Sequence, residues 1–150
     1  MHPNAASPLA VIATARAWIG TPYLHQASVQ GAGADCLGLA RGVWRALHGP
    51  EPVAIPPYSR DWGEVGGREV LLEAARRLLI EVPLAEAGPG ALILFRMAAQ
   101  APAKHCGILG AAMLRPSFIH AYEGAGVVEQ PLSEPWLRRA SSAFLYPAEV

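Results

Sequence analysis

The sequence has no excess of charge of either sign. Twelve Lys and Arg residues balance twelve Asp and Glu residues in a chain of 150 residues, and no run of five or six like charges occurs. Such runs, or a strong net positive charge, are typical of chains that bind nucleic acids or anionic membrane surfaces. The composition therefore argues against nucleic acid as a partner and against an electrostatic membrane anchor.

Cysteines and long apolar runs are also scarce. Cys36 and Cys106 are the two cysteines, which are too few for a disulfide framework and form no Cys-x-x-Cys motif. No segment approaches the roughly 20 consecutive apolar residues that span a bilayer. The opening MHPNAASPLAVIATARAW lacks the basic region and continuous apolar stretch of a secretory signal. We expect free thiols and a soluble chain, synthesised in the cytoplasm without a signal peptide.

The possible metal ligands are poorly placed for a shared site. His105 and Cys106 are neighbours in a run that is typical of a strand. Because neighbouring side chains in a strand point to opposite faces, we expect at most one of them to reach Cys36. Metal sites need several convergent ligands, so the sequence predicts no metal centre.

Three helices are predicted in the first half of the chain, from caps and from apolar residues at helical spacing. Asp35 is the candidate N-cap of the second helix, and Gly49 is its stop signal. Gly38 and Gly42 in this helix either permit close packing against a neighbour or only weaken the helix. The predicted bounds are 8–18, 36–47 and 68–82.

The second half of the chain changes to short β-type runs separated by Pro and Gly. The predicted strands span 91–97, 105–111, 117–123, 126–130 and 142–147, with a helical turn at 134–139 capped by Ser133. This order predicts an α+β fold in which N-terminal helices pack on a C-terminal antiparallel sheet. The length fits a single domain over residues 1–150.

Two segments between these elements are predicted to be irregular. Residues 20–34 form a loop of turn formers and small residues before the second helix. Residues 50–67, rich in Pro and Gly, form an excursion and not a linker between domains. Tyr58 and Trp62 in this excursion either wall a groove or pin the loop to the body.

Cys36 stands where a helix is predicted to begin. The partial positive charge of a helix N-terminus favours a thiolate, and the free backbone N–H groups there can bind an oxyanion. Cysteine is also among the residue types most often buried as a small apolar side chain. Position alone favours the buried small residue over the nucleophile.

His105 and His120 change that balance. A cysteine that transfers acyl groups needs an imidazole to exchange protons with it and a further group to orient that ring. Both histidines lie in predicted strands that are otherwise apolar, and adjacent strands would place them about 5 Å apart. Taken singly, each is better explained as an ordinary core or surface histidine, but together with Cys36 they favour a catalytic set.

The neighbours of these residues have more ordinary interpretations. Tyr23 either donates its hydroxyl to the substrate or packs on the surface. Asp35 is better explained as a cap than as a proton carrier, because a carboxylate beside the thiolate would oppose its charge. We expect His25 to be structural or solvent-facing and Cys106 to be a buried small residue.

Four motifs follow one another along the chain: GTPY, GADCLGL, KHCGIL and FIHAY. In this order they resemble the NlpC-type cell-wall cysteine peptidases, which have a papain-like α+β core. The segments PYLHQASVQGAGADCLGLARGVWRALHG and PPYSRDW are most similar to the cell-wall peptidases of phage tail modules and gene-transfer agents. The resemblance covers residues 6–147, essentially the whole chain.

The resemblance implies a role for each matching residue. Cys36 is the implied nucleophile, His105 the general base and acid, and His120 the residue that orients His105. Tyr23 is the implied contact of the substrate carbonyl or oxyanion, together with the backbone N–H of Cys36. Members of this family cleave peptide bonds in peptidoglycan stem peptides, commonly between D-glutamate and a diamino acid, and need no cofactor or metal.

The chain departs from the family pattern at three places. The common Trp-Gly-Gly after the tyrosine is replaced by Leu24, His25 and Gln26. Leu37 replaces the small hydroxyl residue that usually follows the nucleophile, and Cys106 replaces the valine that usually follows the base. The first departure borders the substrate groove and leaves the bond preference open.

The sequence thus predicts a thiol hydrolase of stem peptides. Because such a substrate lies outside the cytoplasm, we expect delivery in a phage-like tail tip, next to tail-tip or baseplate proteins, to open the wall during DNA delivery. Two alternatives remain. The chain could be a structural tail component that retains the peptidase fold, or a thiol amidase or acyltransferase that acts on another substrate.

Overall fold

The computed structural model describes residues 2–59, 68–111 and 115–149. The helices in these ranges are α1 (Pro8–Arg16), α2 (Cys36–His48), α3 (Val70–Leu78) and α4 (Glu134–Arg139). The strands are β1 (Ser28–Val29), β2 (Gly33–Ala34), β3 (Ile80–Val82), β4 (Leu92–Phe95), β5 (His105–Leu109), β6 (Ser117–Tyr122), β7 (Gly126–Pro131) and β8 (Ala140–Leu145).

Helices α1 and α2 begin where their caps predict. The Ser7 side chain accepts a hydrogen bond from the Ala10 N–H at the start of α1, and the Asp35 carboxylate accepts one from the Gly38 N–H at the start of α2. Such caps satisfy backbone donors that have no partner within the helix. Helix α2 ends at His48, before Gly49, whose φ of 81° few other residues adopt.

The predicted helix over 68–82 is wrong at its C-terminal end. Leu79 leaves the helix with an extended backbone, and the next residues form β3. The β-branched Ile80 and Val82 suit a strand, and this strand pairs with the end of β8. The predicted loop over 20–34 also contains structure, because β1 and β2 pair as a small antiparallel hairpin just before α2.

Strands β3 to β8 form the main sheet, in the order β3-β8-β4-β5-β6-β7 within the described residues. Each neighbouring pair is antiparallel. Helices followed by an antiparallel sheet confirm the predicted α+β fold. Within the described residues, no helix is both long and apolar enough to cross a bilayer.

The main sheet has two differently filled faces. Helices α1, α2 and α3 cover one side, here called the helical face, whose buried sheet residues are Leu92, Leu94, Cys106, Ile108, Ile119, Ala121, Val127 and Phe144. Trp136 of α4 covers the other side, here called the aromatic face, with Ile93, Phe95, Leu109, Phe118 and Ala143. Alternate residues of each strand supply the two faces.

Two glycines let α2 approach its neighbours closely. A Cβ atom at Gly38 would lie 1.8 Å from the Ala27 carbonyl oxygen, and one at Gly42 would lie 2.1 Å from the Trp18 ring. Any side chain at either position would therefore clash. Close packing is the reason for both glycines, and it brings the start of α2 against the loop that precedes it.

Candidate active site

Cys36 is the first residue of α2 and is partly buried. The Asp35 cap accepts the Gly38 N–H at 2.7 Å and so fixes the first turn of the helix around the thiol. The Cys36 Sγ lies 3.7 Å from the Lys104 carbonyl oxygen, next to the start of β5. The thiol therefore lies at the positive end of a helix and at the end of a strand of the main sheet.

His105 and His120 are brought together as the sequence predicts. They lie on neighbouring strands, β5 and β6, with His105 Nε2 2.8 Å from His120 Nδ1 and ring centres 5.0 Å apart. His120 is completely buried and His105 is 8% exposed. This bond uses one nitrogen of the His105 ring and leaves Nδ1 for the thiol.

Gln130 extends the histidine pair, and sequence reasoning missed it. Its Oε1 lies 2.8 Å from His120 Nε2. Val128 is the residue opposite His120 across β6 and β7, and Gln130 follows two residues later on the same face. The sequence did hold a signal for Gln130. It is a polar residue in the predicted strand over 126–130, which directly follows the predicted strand that contains His120.

Cys36 lies within reach of both Cys106 and His105. A hydrogen bond from Cys106 and the nearby His105 ring together hold the pKa of Cys36 well below its usual range, although burial and the charge of Asp35 act in the opposite direction. The proximity of Cys36, together with burial, raises the pKa of Cys106. Cys36 has the imidazole and the helix terminus beside it, so it is the cysteine of the pair that ionises.

This arrangement corrects the expectation that only one of His105 and Cys106 could reach Cys36. Cys106 belongs to the helical face, and its Sγ lies 3.4 Å from the Cys36 carbonyl oxygen. His105 is on the opposite side, in ring contact with Trp136. Both reach the thiol because it lies just outside the N-terminal end of β5, beside Lys104. At that point the sheet no longer separates its two faces.

His120 is held neutral. Burial, followed by the nearby His105, lowers the pKa of His120 to about 4, although the hydrogen bond to Gln130 opposes this. A neutral ring has one N–H and one acceptor nitrogen. His120 can therefore accept a hydrogen bond from His105 while it donates one to Gln130.

Asp35 is used as a structural anchor, and the prediction of an N-cap is confirmed. Besides the Gly38 N–H, its carboxylate accepts the Gln26 N–H at 2.7 Å and the Tyr58 hydroxyl. Burial, then the bond to Asp35, raises the pKa of Tyr58. The aspartate thus ties the loop before α2 and the excursion after it to the start of the helix.

A cavity of about 170 Å³ opens beside the thiol. Its lining residues are Tyr23, His25, Asp35, Cys36, Leu37, Tyr58, Met97, Lys104, His105, Ala121, Tyr122 and Glu123. Tyr58 therefore both pins the excursion and lines the cavity, whereas Trp62 lies outside the described residues. His25 contacts the Tyr58 carbonyl oxygen through Nε2 at 2.8 Å, which fits its predicted structural role.

Tyr23 lines this cavity and also packs against the helical-face core. Its backbone forms a bridge with Ala34, two residues before the nucleophile. The structure thus brings Tyr23 into the site together with Cys36 and His105. In the described ranges, no group of three or more His, Cys, Asp and Glu side chains is arranged to hold a metal ion.

Comparisons with known proteins give a likeness in structure but not in sequence. No family model matches the sequence, and no curated protein matches it. An NlpC/P60 family protein from Bacillus cereus ATCC 10987 is 20% identical, with a TM-score of 0.66 over 95% of this chain and 41% of that one. The NlpC/p60 domain of the peptidoglycan hydrolase SagA is 24% identical, with a TM-score of 0.62 over 93% of this chain and 98% of the domain.

A Staphylococcus aureus subsp. aureus Mu50 protein, described as similar to a lipoprotein of the NLP/P60 family, is 19% identical, with a TM-score of 0.62. The match covers 98% of this chain and 45% of that protein. This chain therefore spans less than half the length of the Bacillus and Staphylococcus proteins and nearly all of the SagA domain. These likenesses confirm the predicted NlpC-type fold.

Proposed function

We propose that this protein is a thiol hydrolase that cleaves peptide bonds in peptidoglycan stem peptides. The observation that carries the proposal is the hydrogen-bonded pair of His105 and His120, which ends beside the Cys36 thiol at the start of α2. The NlpC-type fold supports it, because the SagA domain with this fold belongs to a peptidoglycan hydrolase. The chain of motifs from GADCLGL to FIHAY supports the same reaction.

The geometry suits acyl transfer through a thioester. The Cys36 thiolate attacks the scissile carbonyl carbon, and the carbonyl electron pair moves to oxygen, where the Cys36 backbone N–H stabilises it. Tyr23 is placed to assist. Protonated His105 gives its proton to the leaving amine as the C–N bond breaks. His105 then takes a proton from water, which attacks the thioester and releases the acid and the thiolate.

We assign the cleaved bond to D-glutamate and the following diamino acid. Stem peptides carry both carboxylates and amines, and the cavity beside Cys36 offers Lys104 and Glu123 at its wall.

The test is digestion of purified sacculi of defined chemistry by the wild-type protein and by Cys36→Ala, with mass spectrometry of the new termini. The wild type should release stem fragments and the variant none. Equal release would overturn the proposal.

We further propose that the enzyme is carried in a phage-like tail tip, beside tail-tip or baseplate proteins, and acts in the periplasm or cell wall. This rests on the resemblance of residues 22–49 and PPYSRDW to tail-module and gene-transfer-agent peptidases. Quantitative mass spectrometry of purified particles should detect the chain at a fixed ratio to tail proteins. Particles with Cys36→Ala that lack the chain's activity yet remain fully infective would favour a structural role instead.

A further inference from the structure

Two imidazoles and one amide form a continuous chain of hydrogen bonds behind Cys36. His105 Nε2 lies 2.8 Å from His120 Nδ1, and His120 Nε2 lies 2.8 Å from Gln130 Oε1. An amide oxygen only accepts hydrogen bonds. With Oε1 facing His120, as in this structure, His120 Nε2 carries the proton in the contact with Gln130, and this sets the direction of the last bond in the chain.

The direction of the remaining bond follows from the number of protons available. Burial keeps His120 neutral, and a neutral imidazole has one N–H and one acceptor nitrogen. With its proton on Nε2, His120 accepts at Nδ1 from the Nε2–H of His105. Neutral His105 then has no proton on Nδ1, the nitrogen that is left to accept the proton of the Cys36 thiol.

We propose that Gln130 is a positioning residue: its side-chain oxygen fixes the tautomer of His120 and, through it, the tautomer of His105. The acceptor nitrogen of the His105 ring is thereby directed at Cys36. The effect on catalysis rests on the proposed function, whereas the tautomers can be measured without any substrate.

The opposite amide orientation shows why this polarity matters. A Gln130 Nε2 in the place of Oε1 would donate to His120 Nε2, and His120 would then carry its proton on Nδ1. His120 would donate to His105 Nε2, so neutral His105 would hold its own proton on Nδ1. Such a ring cannot take a proton from the thiol, because its nitrogen on that side is already protonated.

The position of Gln130 is set by strand register and burial. Gln130 pairs with Phe118 and Val128 pairs with His120, so Gln130 lies diagonally from His120 on the aromatic face. His120 has no exposed surface, and the ring is enclosed by Phe118 and Trp136 at centre-to-centre distances of 4.1 and 5.2 Å. Loss of the amide oxygen would leave a buried N–H without its acceptor, which is costly.

The direct test is ¹⁵N NMR of the full chain with labelled histidine, at a pH where both rings are neutral. Pyridine-type and pyrrole-type nitrogens have well separated shifts, and His→Gln variants at positions 105 and 120 assign them. We expect a protonated Nε2 and an unprotonated Nδ1 in both rings. A His105 ring protonated on Nδ1 would overturn the proposal, and this measurement needs no variant of Gln130 to fold.

Two substitutions separate polarity from packing. Gln130→Leu fills the space without an acceptor and should give averaged tautomer shifts in both rings. Its kcat/KM should fall by about twofold to tenfold, because the fraction of rings in the wrong tautomer cannot act as the base. Gln130→Glu keeps an acceptor and no donor; because its carboxylate raises the pKa of His120, it is measured at a pH where His120 is still neutral, and there it should retain both the tautomers and most of the activity. Gln30→Leu is the matched control, since the Gln30 amide bonds to the Ala17 carbonyl oxygen and does not line the cavity beside Cys36, and it should change neither.

Three outcomes decide the matter. Averaged shifts and lost activity in Gln130→Leu, with both retained in Gln130→Glu, would support the assignment. Unchanged shifts and unchanged kcat/KM in Gln130→Leu would overturn it. The expected tautomers in a wild-type protein that cleaves no stem peptide would overturn the proposed function and still support the role of Gln130 in fixing the tautomers.

Discussion

The two faces of the main sheet contribute different halves of the candidate site. The helical face is mostly aliphatic and carries Cys36 on α2 and Cys106 on β5. The aromatic face carries His105 and His120 among the rings of Phe118 and Trp136. The two halves meet just outside the N-terminal end of β5. The alternation of side chains between the two faces of a strand does not separate the two halves there.

This difference indicates a division of work between the faces. The helical face fixes the position of the nucleophile, because a capped and tightly packed helix leaves its first turn little freedom. The aromatic face sets the protonation states, because buried rings disfavour charge on His120. Substitutions on one face should therefore affect stability and placement, and those on the other should affect proton transfer.

The largest effect is expected from the base. His105→Ala should lower kcat/KM for stem-peptide release by about 10²- to 10⁴-fold, the usual contribution of a general acid and base. Thermal unfolding should show that the variant is folded. His2→Ala, at the far end of the chain, is the control and should keep full activity. If the His105→Ala protein were as active as this control, His105 on the aromatic face would not be needed by Cys36 on the helical face, which would contradict the account.

A smaller loss is expected from the packing of the helical face. In Gly38→Ala the new Cβ would lie 1.8 Å from a backbone carbonyl oxygen of the preceding loop, and backbone cannot yield as a side chain tip can. We expect a loss of about 3 kcal/mol in the free energy of unfolding. Gly88→Ala, where nothing lies within 4 Å of the new atom, is the matched control. Equal stability of the two variants by urea denaturation would show that the close approach is not required.

The aromatic face should make the stability of the protein depend on pH in mild acid. The pKa of His120 is about 4 in the folded state and near its ordinary value of 6.5 when unfolded. Between these values the unfolded chain binds the proton and the folded chain does not, so stability falls as the pH drops below 6.5. The loss from pH 7 to 5 should be about 2 kcal/mol.

The carboxylates with lowered pKa values lose their contribution only as the pH falls below their ordinary value of 4.5. The window from pH 7 to 5 therefore separates the histidine from the carboxylates, and a Cys36→Ala background removes the thiol, whose lowered pKa would otherwise contribute in the same window. His120→Asn cannot titrate and should show a flatter dependence in urea denaturation across this window. The same slope in both proteins would mean that His120 is not the group responsible.

The smallest expected effect is that of Cys106 on the nucleophile. Its hydrogen bond is the first cause of the lowered pKa of Cys36, so Cys106→Val should raise that pKa. Cys106→Ser keeps a donor in the same place and should raise it less. Titration of thiolate absorbance in both variants measures the difference, and coincident curves would show that the second cysteine has no electrostatic role.

The features that sequence predicts well are those encoded locally. Asp35 as a cap needs only its neighbours along the chain. A cysteine after it, followed by histidines in two apolar strands, was enough to predict the residues that the structure brings together. Gln130 was not found, because its relation to His120 depends on the register of β6 and β7. Register is fixed by how the strands pair and not by either strand alone.

The remaining errors have the same origin. Ile80 and Val82 continue an apolar periodic pattern that fits a helix, and only the pairing with β8 draws them into a strand. The alternation of side chains along a strand correctly placed His105 and Cys106 on opposite faces of the sheet. It does not apply outside the end of the strand, where Cys36 lies, so both residues reach the thiol. The position of Cys36 beside Lys104, at that end, is a property of the packing of α2.

The central claim is that His105 and Cys36, from opposite faces, act as one unit. The most direct test is the rate of Cys36 alkylation as a function of pH in the Cys106→Ser background, with and without His105→Ala. The account predicts that the thiolate forms well below the ordinary thiol pKa when His105 is present, and that the midpoint moves upward when it is removed. An ordinary midpoint in both proteins would contradict the claim.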